Sequence, residues 1–247
     1  MTDTTAKPAA PGLIDYLASF GEVESQPLSR IQGFTAKAMV RSWTTVPHVT
    51  HFDRLDVTEL EITRKRQNAG RAAKVTPVPY LMKALAGVLA AMPRFNCCYD
   101  PDNNAAIVRK YINMGMAIDT PQGLVVGVIK DVDKISIEEI SEASKALSEK
   151  ARTKGLNLQE MSGGTFTVSS LGAMGGDGFT PIINAPEVAI LSVSRLTETP
   201  TKAADGGIAW RSLLPVGLSY DHRVVNGADA GRFMQALQAE VDKLAQA

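Results

Sequence analysis

One histidine stands out because of the polar residues around it. The stretch SYDHRVVNGADAGRF places His222 between Asp221 and Arg223, with Asn226 and Gly227 four and five positions further on. An imidazole titrates near neutral pH, so His222 could accept a proton from a substrate and return it. It could equally cap a helix or bond to backbone, and Asn-Gly is a common turn sequence, although an Asn226 side chain one turn away could also orient a polar group. Position alone leaves these interpretations open. Asp221 and Arg223 are predicted to form structural ion pairs.

Two hydroxyl groups form a second candidate. Ser169 and Ser170 end the β-rich run GTFTVSS, where a hydroxyl could donate a hydrogen bond to a developing oxyanion. They could also simply satisfy backbone groups at the end of a strand. The sequence around them has no G-x-S-x-G pattern, so a serine-hydrolase triad is not supported. The glycine-rich run that follows, SSLGAMGGDGFTPIINAP, matches neither phosphate-loop pattern, and its prolines predict an irregular loop.

The other histidines and the two cysteines do not predict a metal site. His48 and His51 lie three positions apart in an alternating segment, so they face opposite sides and are predicted to be structural. Cys97 and Cys98 are adjacent, which suits neither an ordinary disulfide nor a metal-binding pair. They are predicted to be small buried residues of a protein in a reducing cytoplasm.

Composition narrows the choice of partners. The 247 residues include 26 basic and 26 acidic ones, so no net charge attracts nucleic acid or an anionic membrane. A hydrophobic content of 45% can supply one large core. The longest apolar run, Tyr80 to Met92, is shorter than the roughly 20 residues that span a bilayer. Neither a membrane segment nor a signal peptide is expected.

Periodicity predicts a mixture of helices and strands. The predicted helices cover 29–43, with an apolar stripe of Ile31, Phe34, Ala38 and Met39, then 57–70, a segment after Pro79, 133–155 and a segment from 227. The predicted strands cover 49–57, 105–119, 123–129, 164–170, 187–195 and 208–221. Strict βαβ alternation is missing, which favours an α+β sandwich of a mixed sheet covered by helices. Residues 1–19 are predicted to be a flexible tail or linker.

A family resemblance rests on five stretches taken together. The stretches are PLSRI, VPHVTHFDRLDVTELEITRKRQ, RKYINMGMAIDTPQGLVV, GGTFTVSSLGAMGGDGFTPIINAPEVAILSVSR and GLSYDHRVVNGADAGRF. In this order and spacing they resemble the catalytic domain of dihydrolipoamide acyltransferases, the core subunits of 2-oxo acid dehydrogenase complexes. The resemblance is greatest to the bacterial pyruvate type. The histidine motif also resembles that of chloramphenicol acetyltransferase. The resemblance identifies residues 20–247 as an acyltransferase catalytic domain.

The resemblance implies a fold and a set of site residues. The fold would be a chloramphenicol acetyltransferase-like sandwich, assembled as a homotrimer with each active site between two subunits. His222 would come from one chain and Ser169 from its neighbour. Asn226 takes the position of an acidic or amide residue that is aspartate in most members. Arg30, in PLSRI, corresponds to an arginine that braces the active-site loop, here by a hydrogen bond because Asn226 is neutral.

The implied reaction moves an acyl group, with acetyl favoured, between dihydrolipoamide and coenzyme A. His222 would take a thiol proton during attack on the thioester, and Ser169 would stabilise the oxyanion without an acyl-enzyme. Coenzyme A contacts would come from the N-terminal helix and the region of Lys83. Two alternatives remain: acetylation of another small acceptor, and a scaffold subunit with vestigial activity.

The resemblance also implies partners. The chain carries no recognisable lipoyl lysine of its own, so the acyl group is expected on a separate lipoyl carrier or a free thiol, and other 2-oxo acid dehydrogenase subunits are candidate partners. The final residues VDKLAQA offer little apolar surface, which predicts a trimer that assembles no further or only weakly.

Overall fold

The computed structural model describes residues 12–172 and 174–246. The helices within these ranges are α1 Leu13–Ala18, α2 Arg30–Thr45, α3 Thr58–Gln67, α4 Pro77–Ala91, α5 Ile137–Thr153 and α6 Gly227–Ala245. The strands are β1 His48–Asp56, β2 Cys97–Asp100, β3 Ala105–Val108, β4 Met114–Ile118, β5 Val125–Ile129, β6 Phe166–Ser170, β7 Ala189–Val193, β8 Thr197–Lys202 and β9 Ile208–Asp221. Short 3-10 helices lie at Pro93–Asn96 and Leu158–Glu160.

The strands form one large mixed sheet and one small hairpin. The large sheet has the order β1-β9-β7-β6-β4-β5, and β8 pairs with the first part of β9. Strands β4, β6 and β7 are parallel to one another, whereas the other pairs are antiparallel. The α+β mixed sheet predicted from the sequence is confirmed.

Three features of the sheet differ from the sequence prediction. The run 105–119, predicted as one strand, is divided into β3, which pairs only with β2, and β4, which lies in the large sheet. Strand β8 was not predicted because TETPTK alternates threonine with polar or proline residues and has no apolar face. The glycine-rich run is irregular where it is described, as expected.

Local sequence signals account for where the helices begin and end. The Ser29 hydroxyl accepts a hydrogen bond from the backbone nitrogen of Gln32 and so caps α2, while Ser136 caps α5 in the same way. Helix α4 begins with Pro77, which has no backbone N–H to leave unpaired. Gly155, with a φ of 78°, follows the end of α5.

The core lies between the sheet and helices α4 and α6. The rings of Phe95 and Phe166 pack against Phe233 with centroids 4.4 and 5.9 Å away. The apolar periods of α4 and α6 predict eight inward residues, of which seven are buried: Leu81, Leu85, Val88, Leu89, Phe233, Leu237 and Val241. The eighth, Leu244 in the last turn of α6, is half-buried against the core. These two helix predictions are therefore confirmed in register as well as in position.

The two N-terminal helices pack differently from the prediction. On α2, Phe34 is 75% exposed and Ala38 is exposed, so the predicted stripe does not pack onto the core of its own chain. Within the predicted tail, residues 1–11 lie outside the described residues, while α1 forms one short helix without a buried side chain. None of the helices in the described ranges is long and apolar enough to cross a bilayer.

Candidate active site

His222 is held by its backbone and leaves its ring exposed. It is the first residue after β9, and its backbone nitrogen donates a hydrogen bond to the Pro47 carbonyl at 3.0 Å. Asp221 and His48 pair next to it in the sheet register. Among the described residues, the imidazole has no hydrogen-bond partner, and the residue is exposed. A fixed backbone with a free ring suits a proton-transfer group better than a structural cap.

Asp221 and Arg223 form the predicted ion pair. The Asp221 carboxylate is buried, and its Oδ2 accepts a hydrogen bond from Arg223 Nη2 at 2.7 Å. This hydrogen bond raises the pKa of Arg223, so the guanidinium stays charged. The pair lies on either side of His222 in the chain.

Asn226 begins α6. Its Oδ1 accepts a hydrogen bond from the backbone nitrogen of Asp229 at 2.9 Å, which is ordinary N-terminal capping. Its amide nitrogen has no partner within the described residues. Asn226 is therefore a helix N-cap rather than the Asn-Gly turn that the sequence left open, and its role in orienting a second group stays a prediction.

The two serines at the end of β6 face opposite sides of the sheet. Side chains alternate along a strand, so Ser169 shares a face with Thr167 and with Ser192, its partner on β7. Ser170 lies on the other face, where it lines a cavity. The Ser169 hydroxyl is half-buried and has no hydrogen-bond partner in the part of the chain that the structure describes. The alternative that both serines merely satisfy backbone groups finds no support for Ser169.

Ser169 and His222 of one chain lie at opposite ends of the sheet. The register runs from Ser169 to Ser192 on β7 and from Ser192 to Gly217 on β9, two strand spacings away. His222 follows Gly217 by five residues. With about 4.8 Å between strands and about 3.3 Å per residue, the two residues are about 19 Å apart. One chain therefore cannot place both groups on the same reacting carbon.

Arg30 lies at the Ser169 end. It is the exposed first residue of α2, and the preceding Ser29 donates its hydroxyl hydrogen to the Gln122 carbonyl at 2.7 Å in the β4–β5 turn. Strands β4 and β6 are parallel, so this turn is next to the end of β6. The length of α2, about 24 Å at 1.5 Å per residue, separates Arg30 from the strand beside His222. Within one chain Arg30 does not reach Asn226, and the predicted contact between them stays a prediction for neighbouring chains.

A cavity of about 520 Å³ opens beside Ser170. Its apolar part includes Met116 and Val168, which pair with each other in the middle of β4 and β6. Helix α5 contributes the polar residues Ser141, Ser144, Lys145, Ser148 and Arg152. Their spacing of three, four, seven and eleven positions from Ser141 places them on one face of the helix. That polar face was the available signal for the cavity.

Two residues considered in the sequence are structural in the described chain. The Lys83 ammonium donates hydrogen bonds to the carbonyl oxygens of Val132, Asp133 and Ile135, so this side chain is structural, and the expectation of coenzyme A contacts in its region stays a prediction. His48 contacts the Val46 carbonyl through Nδ1 and accepts a hydrogen bond from the Ile183 nitrogen at Nε2. Its predicted structural role is confirmed. Residues 12–172 and 174–246 contain no cluster of three metal-ligating side chains.

Glu187 is a buried carboxyl group behind the site. It accepts hydrogen bonds from the Thr167 hydroxyl at 2.7 Å and from the Asn184 amide at 3.2 Å. Burial outweighs these two contacts and raises its pKa from 4.5 to about 7.

This shift predicts how stability depends on pH. Between about pH 4.5 and 7 the folded chain keeps a proton on Glu187 that the unfolded chain has lost. The free energy of unfolding therefore falls as the pH rises through this range. Above pH 7 the total decrease is on the order of 3 kcal/mol. Glu187→Gln stays neutral and should unfold at higher urea concentration than wild type at pH 8, with a smaller difference at pH 5. Urea unfolding across this range measures the effect. Glu142→Gln, at an exposed site on α5, is the control, and a constant offset between Glu187→Gln and wild type would contradict the prediction.

A family model ties these features together. The model for the 2-oxoacid dehydrogenases acyltransferase catalytic domain matches residues 20–247. The chain belongs to this acyltransferase family. The acyltransferase catalytic domain predicted from the five sequence stretches is thereby confirmed as to family.

Known members of the family are similar over most of the chain. The dihydrolipoyllysine-residue acetyltransferase component of the pyruvate dehydrogenase complex from Haemophilus influenzae is 48% identical over 229 residues, which cover 91% of this chain and 40% of the relative. The chain therefore spans less than half the length of that relative. A solved structure of Azotobacter vinelandii dihydrolipoamide acetyltransferase is 44% identical, with a TM-score of 0.88 and 97% of each chain covered.

The wider fold is also found in a more distant enzyme. A structure of chloramphenicol acetyltransferase aligns with 85% of this acyltransferase domain and 94% of its own chain, at 12% identity and a TM-score of 0.53. At that identity the likeness concerns the fold alone. The predicted chloramphenicol acetyltransferase-like fold is confirmed.

Proposed function

We propose that this acyltransferase domain transfers an acetyl group between dihydrolipoamide and coenzyme A. The observation that carries the proposal is the exposed ring of His222, unpartnered in the described chain and held on a fixed turn in a member of this family. The Haemophilus relative, named for acetyl transfer to a lipoyl-lysine residue, supports the choice of acyl group.

His222 acts as the general base and then as the general acid. A thiol with an ordinary pKa of about 8.5 is mostly protonated at neutral pH, so His222 removes the proton as the sulfur attacks the thioester carbon. The carbonyl π electrons move onto oxygen, which accepts a hydrogen bond from the Ser169 hydroxyl. When the intermediate collapses, the carbon–sulfur bond to the leaving thiol breaks, and His222 returns the proton to that sulfur.

The two groups come from different chains. His222 and Ser169 lie about 19 Å apart within one chain by the strand spacings given above, so each site joins the His222 end of one subunit to the Ser169 end of another. The ring closes as a homotrimer. Arg30, at the Ser169 end, then lies where it reaches Asn226 of the neighbouring chain.

Residue spacing in the Azotobacter enzyme supports this assignment. Its structure addresses the role of one serine, one histidine and one asparagine in the catalytic mechanism, and that histidine and asparagine are four positions apart, as His222 and Asn226 are. Its serine precedes the histidine by 52 positions, whereas Ser169 and Ser170 precede His222 by 53 and 52. Spacing leaves both serines open. Neither hydroxyl has a hydrogen-bond partner among the described residues. We assign the oxyanion contact to Ser169 because it is half-buried, whereas Ser170 is exposed on the face that lines the cavity.

The cavity beside Ser170 is the proposed coenzyme A site. Its apolar floor suits an alkyl arm, and its α5 face supplies hydroxyl groups, the cations Lys145 and Arg152, and one carboxylate, Glu149. Lys145 and Arg152 each donate one hydrogen bond to a backbone carbonyl, of Lys74 and Asp119, and keep further N–H groups for phosphates. The lipoyl arm carries no phosphate, so these cations favour coenzyme A over the lipoyl group. The acyl group arrives on a lipoyl group, and other 2-oxo acid dehydrogenase subunits are the proposed partners in a reducing cytoplasm.

Reversing one of these charges tests the site. Arg152→Glu should raise KM for coenzyme A about 10- to 100-fold, the value of one charge-assisted hydrogen bond of roughly 1.5–3 kcal/mol, and leave KM for dihydrolipoamide within about twofold. Lys154→Glu is the matched control, since Lys154 is exposed two residues further along and does not line the cavity. Equal KM changes in the two variants would contradict the assignment.

The proposed reaction itself is tested by steady-state transfer from acetyl-CoA to free dihydrolipoamide. The expected result is saturable formation of acetyl-dihydrolipoamide and free coenzyme A. A folded trimer that forms neither product overturns the proposal. Transfer to a small alcohol or amine instead would support the alternative acceptor, and no transfer to any acceptor would support a scaffold subunit with vestigial activity.

A further inference from the structure

The chain around His222 is fixed on both sides by contacts that the proposed reaction does not use. Upstream, the His222 nitrogen donates to the Pro47 carbonyl. Downstream, the Asp221 carboxylate accepts a hydrogen bond from the Arg223 nitrogen at 3.0 Å, so the residues before and after His222 are bonded across it. The Asp221 carbonyl also accepts hydrogen bonds from the nitrogens of Val224 and Val225 at 3.0 and 2.9 Å.

The guanidinium of Arg223 locks this turn. Its Nε donates to Asp221 Oδ1 at 3.0 Å and its Nη2 donates to Oδ2 at 2.7 Å, a two-pronged pair that fixes the plane of the carboxylate. The Asp221 side chain is 1% exposed and that of Arg223 is 32% exposed. The guanidinium carbon lies 4.4 Å from the centroid of the Tyr99 ring on β2. Tyr99 thus closes the open side of the pair.

This arrangement is a poor way to gain stability alone. A buried ion pair costs desolvation that its attraction only roughly repays, so apolar residues of similar volume stabilise a fold about as well. The pair instead fixes the conformation of the backbone turn that carries His222. The His222 ring needs that fixed turn because no described side chain orients it by a hydrogen bond.

We propose that Arg223, through its two-pronged bond to Asp221 and its stacking on Tyr99, positions the His222 imidazole for proton transfer. Arg223 touches no reacting atom in this role and is a positioning residue. The inference rests on the proposed transfer function, which supplies the reaction whose geometry is controlled.

The kinetic test compares two arginine–carboxylate pairs in which the carboxylate is buried. Arg223→Ala should lower kcat of acetyl transfer about 30- to 100-fold, since a displacement near 1 Å can cost that much, with KM for both thiols within about twofold. Added guanidinium ion at millimolar, non-denaturing concentration should restore part of the loss. The control is Arg64→Ala, because Arg64 makes a similar two-pronged bond to Glu61 on α3. This control should lower the thermal unfolding midpoint but leave kcat within about twofold, as expected of a group remote from the reaction.

Conservative variants separate positioning from folding. Arg223→Lys keeps the charge but cannot bond both oxygens in one plane, so kcat should remain at least about tenfold below wild type. Tyr99→Phe keeps the ring face and should behave like wild type. A folded Arg223→Ala or Arg223→Lys protein with wild-type kcat, or a loss confined to KM, would overturn the inference. If Arg223→Ala does not fold, Arg223→Lys decides.

A readout independent of activity separates this inference from the proposed function. The NMR signal of the His222 ring, assigned by its loss in His222→Ala, should shift and broaden in Arg223→Lys but not in Arg64→Ala. An inactive wild-type protein that shows this change would overturn the proposed function and keep the positioning role. An unchanged ring signal would overturn the positioning role whatever the activity.

Discussion

Replacing His222 with alanine should lower acetyl transfer about 10³-fold, within the range of 10² to 10⁴ that proton transfer by a placed side chain contributes. The loss should fall on kcat, because the variant removes the group that accepts and returns the thiol proton and leaves the cavity beside Ser170 unchanged. Raising the pH should recover part of the rate, since more of the attacking thiol is then already ionised. Steady-state kinetics of acetyl-CoA with dihydrolipoamide at several pH values measures both effects.

His51→Ala is the matched control for this variant. His51 lies on β1 only three residues from His48, it is half-buried, and it has no hydrogen-bond partner among the described side chains. The same substitution there should leave kcat within about twofold. If His222→Ala keeps a tenth or more of the wild-type rate while folded, proton transfer does not depend on this ring.

Ser169→Ala should produce the second-largest loss, about 10²- to 10³-fold in kcat, as expected when one donor to an oxyanion is removed from a site that excludes water. The hydroxyl would contact the intermediate more closely than the ground-state carbonyl, so KM should change little. Stopped-flow or steady-state measurement at saturating acetyl-CoA detects the loss. Thermal unfolding should be nearly unchanged, because no hydrogen bond from this hydroxyl holds the described fold together.

Ser170→Ala separates the two neighbouring hydroxyls. Alternation along β6 directs Ser170 into the cavity and Ser169 to the opposite face. Serine-to-alanine substitution at each position therefore tests the role of one face of the sheet at a time. We expect Ser170→Ala to affect KM for coenzyme A and to leave kcat within about threefold, the size of a single neutral hydrogen bond. A larger kcat loss in Ser170→Ala than in Ser169→Ala would move the oxyanion contact to Ser170.

Much of the fold could be predicted because helical and alternating periods are directly visible in the sequence. Helices α4 and α6 have apolar residues at regular helical spacing, and their inward faces were predicted in register. The failures have the same cause in reverse. Strand β8 has no alternating apolar residues, so periodicity gave no signal for it. The periodicity of α2 predicted the helix correctly, but its apolar stripe is not buried in the core of its own chain.

The site was predictable in residue type and only partly in geometry. His222 could be selected because of the polar residues around it, and Asp221 and Arg223 were expected to form ion pairs, but that they pair with each other is visible only in the structure. The stacking of Arg223 on Tyr99 joins residues far apart in the chain, and no local pattern carries that information. The separation of His222 and Ser169 likewise depends on the strand order and register, which residue spacing along the sequence does not contain.

The exposed apolar side chains of helix α2 also affect how readily newly synthesised single chains aggregate. Phe34 is 75% exposed and Trp43 is 64% exposed, so a newly folded single chain presents large apolar side chains to the surrounding solution. Where the proposed trimer covers these side chains, they stay exposed until the subunits meet, and aggregation competes with assembly during that time. The yield of soluble protein then depends on the rate of subunit association relative to the rate of aggregation.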